Sequence, residues 1–173
     1  MGVFLENTIY QDVIEKAENT DKQTGFFNNL YLYSKARQKL LQVENSVFAL
    51  LVFNNLSDIN IEYSRNVGNL VLTKAINVIK ELTSSDTMCI RYSGARILLV
   101  TPDCTAENIH PIIEKILARI KSDAVENIDN KFVNISTQVL IHTFKKQNNI
   151  EKEIGKMVLY TDNMKETDTI KII

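Results

Sequence analysis

Runs of apolar residues predict two of the strands in this chain. Residues 47–53 are apolar throughout and are bounded by polar residues, a pattern typical of a short strand buried on both faces. Along residues 131–144, apolar and polar positions alternate, which predicts a strand with one face turned to a core. The chain therefore contains a central buried strand and a second strand near its end.

A hairpin is predicted between these two strands. Residues 88–92 and 96–100 read as short strands joined by a tight turn over Ser93, Gly94 and Ala95. Because glycine adopts positive φ angles at little cost, we expect Gly94 to do so in this turn. A hairpin tip holds side chains rigidly, but Ser93, Ala95 and Arg96 include no carboxylate.

Apolar residues at helical spacing predict the helices. We expect Thr105 to cap one of them, with Pro111 in its first turns, where proline is tolerated. Residues 167–173 form either a short final strand or a frayed tail. Helices between strands imply an α/β architecture. The predicted helices span residues 7–19, 27–41, 56–59 (a short turn), 66–82, 105–120 and 149–164.

Composition narrows the class of protein. The chain has 173 residues, 45% of them hydrophobic, and a formal net charge of -1, so no basic surface for nucleic acid or anionic lipid is indicated. No apolar run approaches the length of a membrane span, and we expect a cytoplasmic protein. Cys89 lies in an apolar strand and is interpreted as a reduced buried thiol; Cys104, His110 and His142 are too dispersed to predict a zinc site.

Four motifs, in chain order, resemble those of the diguanylate cyclase (GGDEF) domain. Residues 21–29 resemble the family's D-x-L-T-G-L-x-N-R, and residues 52–61 its D-x-D-x-F-K-x-I-N-D. Residues 63–72 resemble Y-G-H-x-x-G-D-x-x-L, and residues 91–97 the signature R-Y-G-G-D-E-F. The resemblance covers about residues 20 to 165. It implies the palm-like cyclase fold, a central, mostly antiparallel, mixed sheet of about five strands flanked by helices.

The carboxylates that hold divalent metal in the family have no counterpart here. The resemblance places them at Val52 and Ala95, and it places the next, catalytically important carboxylate at Arg96, whose positive charge repels a cation. The family's phosphate-contacting lysines fall on Ser57 and Asn163. We therefore expect a degenerate domain without cyclase activity, metal or cofactor.

Part of the family's nucleotide site is retained. Its guanine-reading asparagine corresponds to Asn60, while the partner aspartate is replaced by Asn69, which cannot accept from both guanine N1–H and N2–H as a carboxylate does. Capping of loops and helix starts explains both asparagines equally well. Arg96 is a candidate direct phosphate ligand. The loop that offers backbone N–H groups to phosphates comprises Phe53, Asn54, Asn55 and Leu56.

The family's product-inhibition motif, R-x-x-D upstream of the signature, is also incomplete. Thr83 stands where the arginine belongs, and Asp86 is displaced by one residue, so we expect no cyclic di-GMP binding by this route.

Three functions remain as interpretations. The first is an inactive regulatory domain that contacts a partner protein or an attached bacterial signalling domain. The second is a sensor that binds GTP or a related purine nucleotide without turnover. The third, an enzyme with a rewired site, lacks any suitable Cys–His or Ser–His–Asp arrangement. We expect residues 1–19 to be a lead-in helix, although a simple packing helix fits as well, and residues 20–173 to form the degenerate domain.

Overall fold

The computed structural model describes residues 2–123, 125, 126 and 130–173. The sequence of residues 122–130, rich in Asp and Asn, predicts a surface loop, and this stretch lies partly outside the described residues. The helical elements are α1 (Gly2–Asn19), α2 (Asn29–Tyr31), a π-helical segment (Leu32–Ala36), α3 (Arg37–Leu40), α4 (Leu56–Glu62), α5 (Arg65–Leu82), α6 (Ala106–Ser122) and α7 (Ile150–Asp162). The strands are β1 (Asn45–Phe53), β2 (Met88–Ser93), β3 (Arg96–Pro102), β4 (Val125–Glu126), β5 (Phe132–Val133), β6 (Thr137–Lys145) and β7 (Ile170–Ile172).

Five strands form the main sheet, in the order β2-β3-β1-β6-β7. Every neighbouring pair is antiparallel except β6 and β7, which are parallel. This confirms the expected α/β fold with a mostly antiparallel, mixed sheet. The short strands β4 and β5 pair separately.

β1 is the centre of the sheet and is buried on both faces, as its apolar run predicts. Alternate side chains enter two hydrophobic clusters, one on each side of the sheet. Helices α5 and α6 cover the first cluster, and α3, the π-helical segment and α7 cover the second. The first contains Val47, Ala49, Leu51 and Phe53; the second contains Phe48, Leu50 and Val52.

The strand predicted at residues 131–144 is interrupted. β5 and β6 are separated by three residues that belong to no strand. The side chain of Asn55 explains the break, because its Nδ2 donates to the carbonyl of Asn134 (2.9 Å) and its Oδ1 accepts from the amide of Ser136 (2.7 Å). The final residues form β7, so the alternative of a frayed tail is wrong.

The helix predicted at residues 27–41 begins later than expected. Asn28 caps its start through a bond from the Tyr31 amide to Oδ1 (3.1 Å). Phe27 precedes this cap and pairs with Ile90 at the edge of β2 instead. Leu30, an apolar residue of this helix, is exposed.

The expectation for Gly94 is wrong, because its φ is not in the left-handed region; the glycine with positive φ among the described residues is Gly25 (φ 73°). The hairpin reverses with a register shift between Arg91 and Ser93. Such an irregularity adds local twist and replaces the need for a left-handed glycine.

α1 is attached to the rest of the fold at its C-terminal end. The side chain of Asn28 donates to the carbonyl of Glu18 (2.6 Å), and Lys35 forms an ion pair with Glu15. The large apolar side chains of α1 are exposed, so α1 does not bury them against the rest of this chain, and its role as a lead-in helix stays a prediction. These side chains are Val3, Phe4, Leu5, Ile9, Tyr10, Val13 and Ile14.

Among the described residues, no helix combines the length and apolar character needed to cross a bilayer.

Glu153 on α7 is a buried carboxylate with two basic neighbours. Lys156 Nζ donates to its Oε1 at 2.9 Å, and His142 Nε2 lies 3.1 Å from its Oε2. The Lys156 bond is the main reason that the pKa of Glu153 is lowered, and His142 adds to the effect. The lowered folded-state pKa stabilises the fold above the carboxyl group's unfolded pKa, and this contribution is lost as the pH falls through the folded pKa.

Replacing Glu153 by Gln should therefore lower the free energy of unfolding at pH 7 by roughly 1–2 kcal/mol, because the exposure of Lys156 reduces the usual contribution of a bond to a charged group. Urea denaturation should show this difference shrinking as the pH is lowered to about 3, below the ordinary glutamate pKa of about 4.3. Glu18→Gln, on exposed α1, is the matched control and should change little at any pH. A difference for Glu153→Gln that stays constant with pH would contradict this interpretation.

Candidate functional site

The ends of β1 and β3 bring together the three positions at which the resemblance puts carboxylates. Val52 lies opposite Arg96 in the register of the two strands. The amide of the next residue, Phe53, donates to the carbonyl of Ala95 at 2.8 Å. Antiparallel pairing thus places all three positions at one end of the sheet.

None of the three side chains supplies an anionic ligand. Val52 is 9% exposed and packs in the second hydrophobic cluster, while Ala95 packs against the first. Arg96 is bonded through Nη2 to the carboxylate of Asp162, near the end of α7. Since divalent cations of this kind are held by oxygen ligands, the residues at this place do not fit one. In addition, no group of three or more metal-ligating side chains is found within the described part of the chain.

The loop after β1 uses its polar groups within the fold. The amides of Phe53 and Asn54 donate to the carbonyls of Ala95 and Ser136. The side chain of Asn55 is bonded across to the segment between β5 and β6. These groups are directed inward, and the binding role predicted for this loop stays a prediction.

A cavity of about 480 Å³ lies beside this strand end, between α4, α5 and the β2–β3 hairpin. It contains Asn60, Asn69 and Leu56 from the predicted nucleotide set, whereas Phe53, Asn54, Asn55 and Arg96 do not line it. Three carboxamides and two guanidinium groups line the cavity, and its ten lining residues include no carboxylate. They are Gln23, Leu56, Ser57, Asn60, Arg65, Asn69, Leu72, Arg91, Gly94 and Ala95.

Asn60 is held against the start of α5. A Cβ atom added at Gly68 would lie 1.9 Å from Asn60 Oδ1, so the carboxamide occupies the space that glycine leaves open. Ser64 begins α5 by accepting the Val67 amide at 3.3 Å, which sets the position of this turn. The absence of a side chain at Gly68 thus fixes where Asn60 meets the cavity.

Asn69 lies one residue further along α5 and is exposed at the cavity wall. Its Oδ1 accepts a hydrogen bond from Gln23 Nε2 at 3.0 Å. The amide nitrogen of Asn69 then remains as a donor beside the cavity. Gln23 comes from the loop before α2, so this loop and α5 share one wall.

Arg65 and Arg91 were not identified as binding residues from the sequence. Arg91 Nε donates to the carbonyl of Ser93 (2.9 Å), and its Nη2 donates to the carbonyl of Gly94. Burial lowers the pKa of Arg91, an effect opposed by the nearby carboxylate of Asp21. Two sequence features could have identified them. Arg91 is the first residue of the stretch that resembles the signature, and Arg65 stands where the family motif has a histidine.

The remaining family positions lie elsewhere. Asn163 lines a different cavity of about 600 Å³ at the end of α7, together with Lys156 and Lys165. Thr83 is engaged within α5, where its hydroxyl donates to the carbonyl of Ile79 (2.7 Å). Cys89 is a free thiol whose pKa is raised by burial, in keeping with its interpretation as a reduced buried cysteine.

Comparisons with solved structures find the same fold. One similar structure is that of the coiled coil and GGDEF domain of DgcB from Caulobacter crescentus, in complex with c-di-GMP. The alignment covers 99% of this chain and 94% of the DgcB chain, with a TM-score of 0.88 and 14% identity. The diguanylate cyclase SiaD from Pseudomonas aeruginosa, in complex with its activator SiaC, matches 99% of this chain and 69% of its own, with a TM-score of 0.83 and 16% identity. At these identities the likeness shows the fold alone.

A curated relative is the uncharacterized protein YtrP of Bacillus subtilis (strain 168). It is 21% identical over 119 residues, which are 69% of this chain. The chain spans about a fifth of that relative's length (21%).

The family match extends across most of the sequence. Residues 18–168 match the family described as "Diguanylate cyclase, GGDEF domain". This range includes β1, β2, β3 and β6 of the main sheet, the cavity and every motif on which the resemblance was based. The chain therefore belongs to the GGDEF domain family.

Proposed function

We propose that this chain is a catalytically inactive GGDEF domain that acts as a regulatory or protein-interaction module in bacterial signalling of the cyclic-dinucleotide type. One observation carries the proposal: Val52, Ala95 and Arg96 meet at one end of the sheet, and none of them provides a metal-binding oxygen. GTP condensation needs a divalent cation to offset triphosphate charge and to activate a hydroxyl group.

The environment of Arg96 supports the same proposal. Its ion pair with Asp162 links the hairpin to α7, so the residue that replaces a catalytic carboxylate stabilises the contact between two elements. Val52 likewise contributes to a hydrophobic cluster. Packing and an ion pair thus occupy the positions that would carry metal chemistry.

α1 supplies a surface for a protein partner. Tyr10, Val13 and Ala17 follow each other at intervals of three and four residues, and Val3 lies seven residues before Tyr10. This spacing is that of the a and d positions of a coiled coil. The apolar side chains of this stripe are exposed, and exposed apolar stripes on a helix are typical of binding surfaces.

The solved relatives give this surface a context. The DgcB structure contains a coiled coil together with its GGDEF domain, and the alignment with this chain includes nearly all of it. SiaD was solved with an activator protein. By analogy, we propose that α1 pairs with α1 of a second copy, and that an attached domain or partner acts through this pairing.

A second candidate function is a sensor that binds GTP or a related purine nucleotide without turnover. The cavity beside the hairpin favours it, because Asn60 and Asn69 line this cavity together with two arginines. Carboxamides read purine edges, and guanidinium groups bind phosphates.

Incubating the protein with GTP and magnesium should yield no cyclic di-GMP. We expect less than about a thousandth of the turnover of an active GGDEF domain assayed in parallel, because removing transition-state charge stabilisation costs several powers of ten. Product is measured by chromatography, and pyrophosphate release gives an independent readout. Clear formation of either product at a rate near that of the active domain would refute the proposed inactivity.

Sedimentation over a concentration series should show a reversible dimer that Val13→Glu weakens by at least about tenfold in dissociation constant. The reason is that a buried charge in an apolar stripe is costly, whereas Val13 is exposed in the single chain and its replacement should leave the folding stability nearly unchanged.

Gln11→Glu is the matched control, since it adds the same charge outside the apolar stripe. It should leave the dimer intact. A chain that stays monomeric throughout the series, or equal weakening by both variants, would contradict the proposed pairing of α1.

A further inference from the structure

We infer that the cavity beside the hairpin binds a purine nucleotide without a divalent cation, with Arg65 and Arg91 meeting its phosphate charge, and that it does not distinguish guanine from adenine. The inference rests on the second candidate function and specifies its ligand.

The lining of the cavity is positively charged, which favours an anionic ligand. Arg65 and Arg91 are the charged side chains of the lining, so the lining residues bear two positive charges and no negative one. Asp21, the carboxylate near Arg91, is not a lining residue; it accepts bonds from the amide and the hydroxyl of Thr24 (2.8 and 2.7 Å). An anion can therefore enter without meeting a carboxylate.

The guanidinium group of Arg91 is held in a fixed position beside the cavity. Two carbonyls of the hairpin tip, those of Ser93 and Gly94, already hold its guanidinium group. Its third nitrogen, Nη1, is buried and has no hydrogen-bond partner among the described residues. A cation that is held in place, with one donor still unsatisfied, attracts an anion at little cost in side-chain entropy. Arg65, the first residue of α5, adds a second, exposed charge to the lining of the cavity.

The carboxamide groups of Asn69 and Asn60 determine which purine bases the cavity can accept. Guanine presents two adjacent donors, N1–H and N2–H, which suit a carboxylate, whereas adenine presents a donor beside an acceptor, which suits a carboxamide. The oxygen of Asn69 already accepts a bond from Gln23, so the side-chain nitrogen is the group left to donate to an acceptor on either base. The oxygen of Asn60 is packed against Gly68, so the side-chain nitrogen of Asn60 is a second donor for the base. This arrangement gives guanine no advantage over adenine.

The size of the cavity fits such a ligand. Its volume of about 480 Å³ falls within the range of small-molecule sites. Leu56, Leu72 and Ala95 add apolar surface on which a purine ring can pack.

Isothermal titration of the full chain with GTP and with ATP, each in EDTA and in excess magnesium, tests the inference. We expect both nucleotides to bind in EDTA with dissociation constants within about threefold of each other, and magnesium to strengthen neither by more than about threefold. Arg65→Gln should weaken both by at least about tenfold. Lys115→Gln, which removes one charge from the exposed face of α6, is the matched control and should leave both unchanged.

A second variant examines the base contact. Gly68→Ala places a Cβ where Asn60 Oδ1 now lies and should displace that carboxamide, weakening both nucleotides by at least about fivefold. The chain should remain folded, because alanine is the better helix former and the displaced group is the end of a flexible side chain.

The outcomes separate the inference from the function on which it rests. GTP binding that requires magnesium, or that is more than about tenfold tighter than ATP binding, overturns the inference and leaves a nucleotide sensor. Binding that neither Arg65→Gln nor Gly68→Ala weakens also overturns it, because the ligand then lies elsewhere. No binding of either nucleotide in either condition overturns both the inference and the sensor function.

Discussion

The pairing of β1 with β3 and β6 is the constraint on which the rest of the structure depends. β1 has a neighbour on each side and a hydrophobic cluster on each face, so its register cannot shift without exposing both clusters. That register sets Val52 opposite Arg96 and brings Ala95 to the Phe53 amide. The geometry of the site is therefore fixed by core packing, to which Val52 itself contributes.

The charges at this strand end differ from those that the resemblance implies. Apolar side chains stand at two of the positions at which the resemblance puts carboxylates, and the arginine at the third forms an ion pair with Asp162. The lining of the neighbouring cavity is polar and positively charged, because it contains guanidinium groups and carboxamides. The two proposed binding surfaces thus differ in character: one is a cavity lined by cations, and the other is the apolar stripe of α1.

The sequence predicted what short-range patterns determine. The seven apolar residues of β1 have few alternatives to a buried strand, and the motifs around Asn60 and Asn69 place both residues in one cavity. Long-range contacts were not predictable in this way. The partner of Arg96 lies 66 residues away, and the break before β6 depends on a side chain 79 residues from its acceptor. The spacing of apolar residues along α1 is the same for a helix that packs against the domain and for one that stays exposed, so the sequence left both alternatives open.

The central claim is that the strand end cannot hold a divalent cation with a triphosphate. A crystal structure of the full chain grown with GTP and manganese tests it most directly, since manganese is located by its anomalous scattering. The account predicts no manganese peak between Val52 and Ala95, whether or not a nucleotide occupies the neighbouring cavity. A manganese ion bridging that position and the GTP phosphates would contradict it.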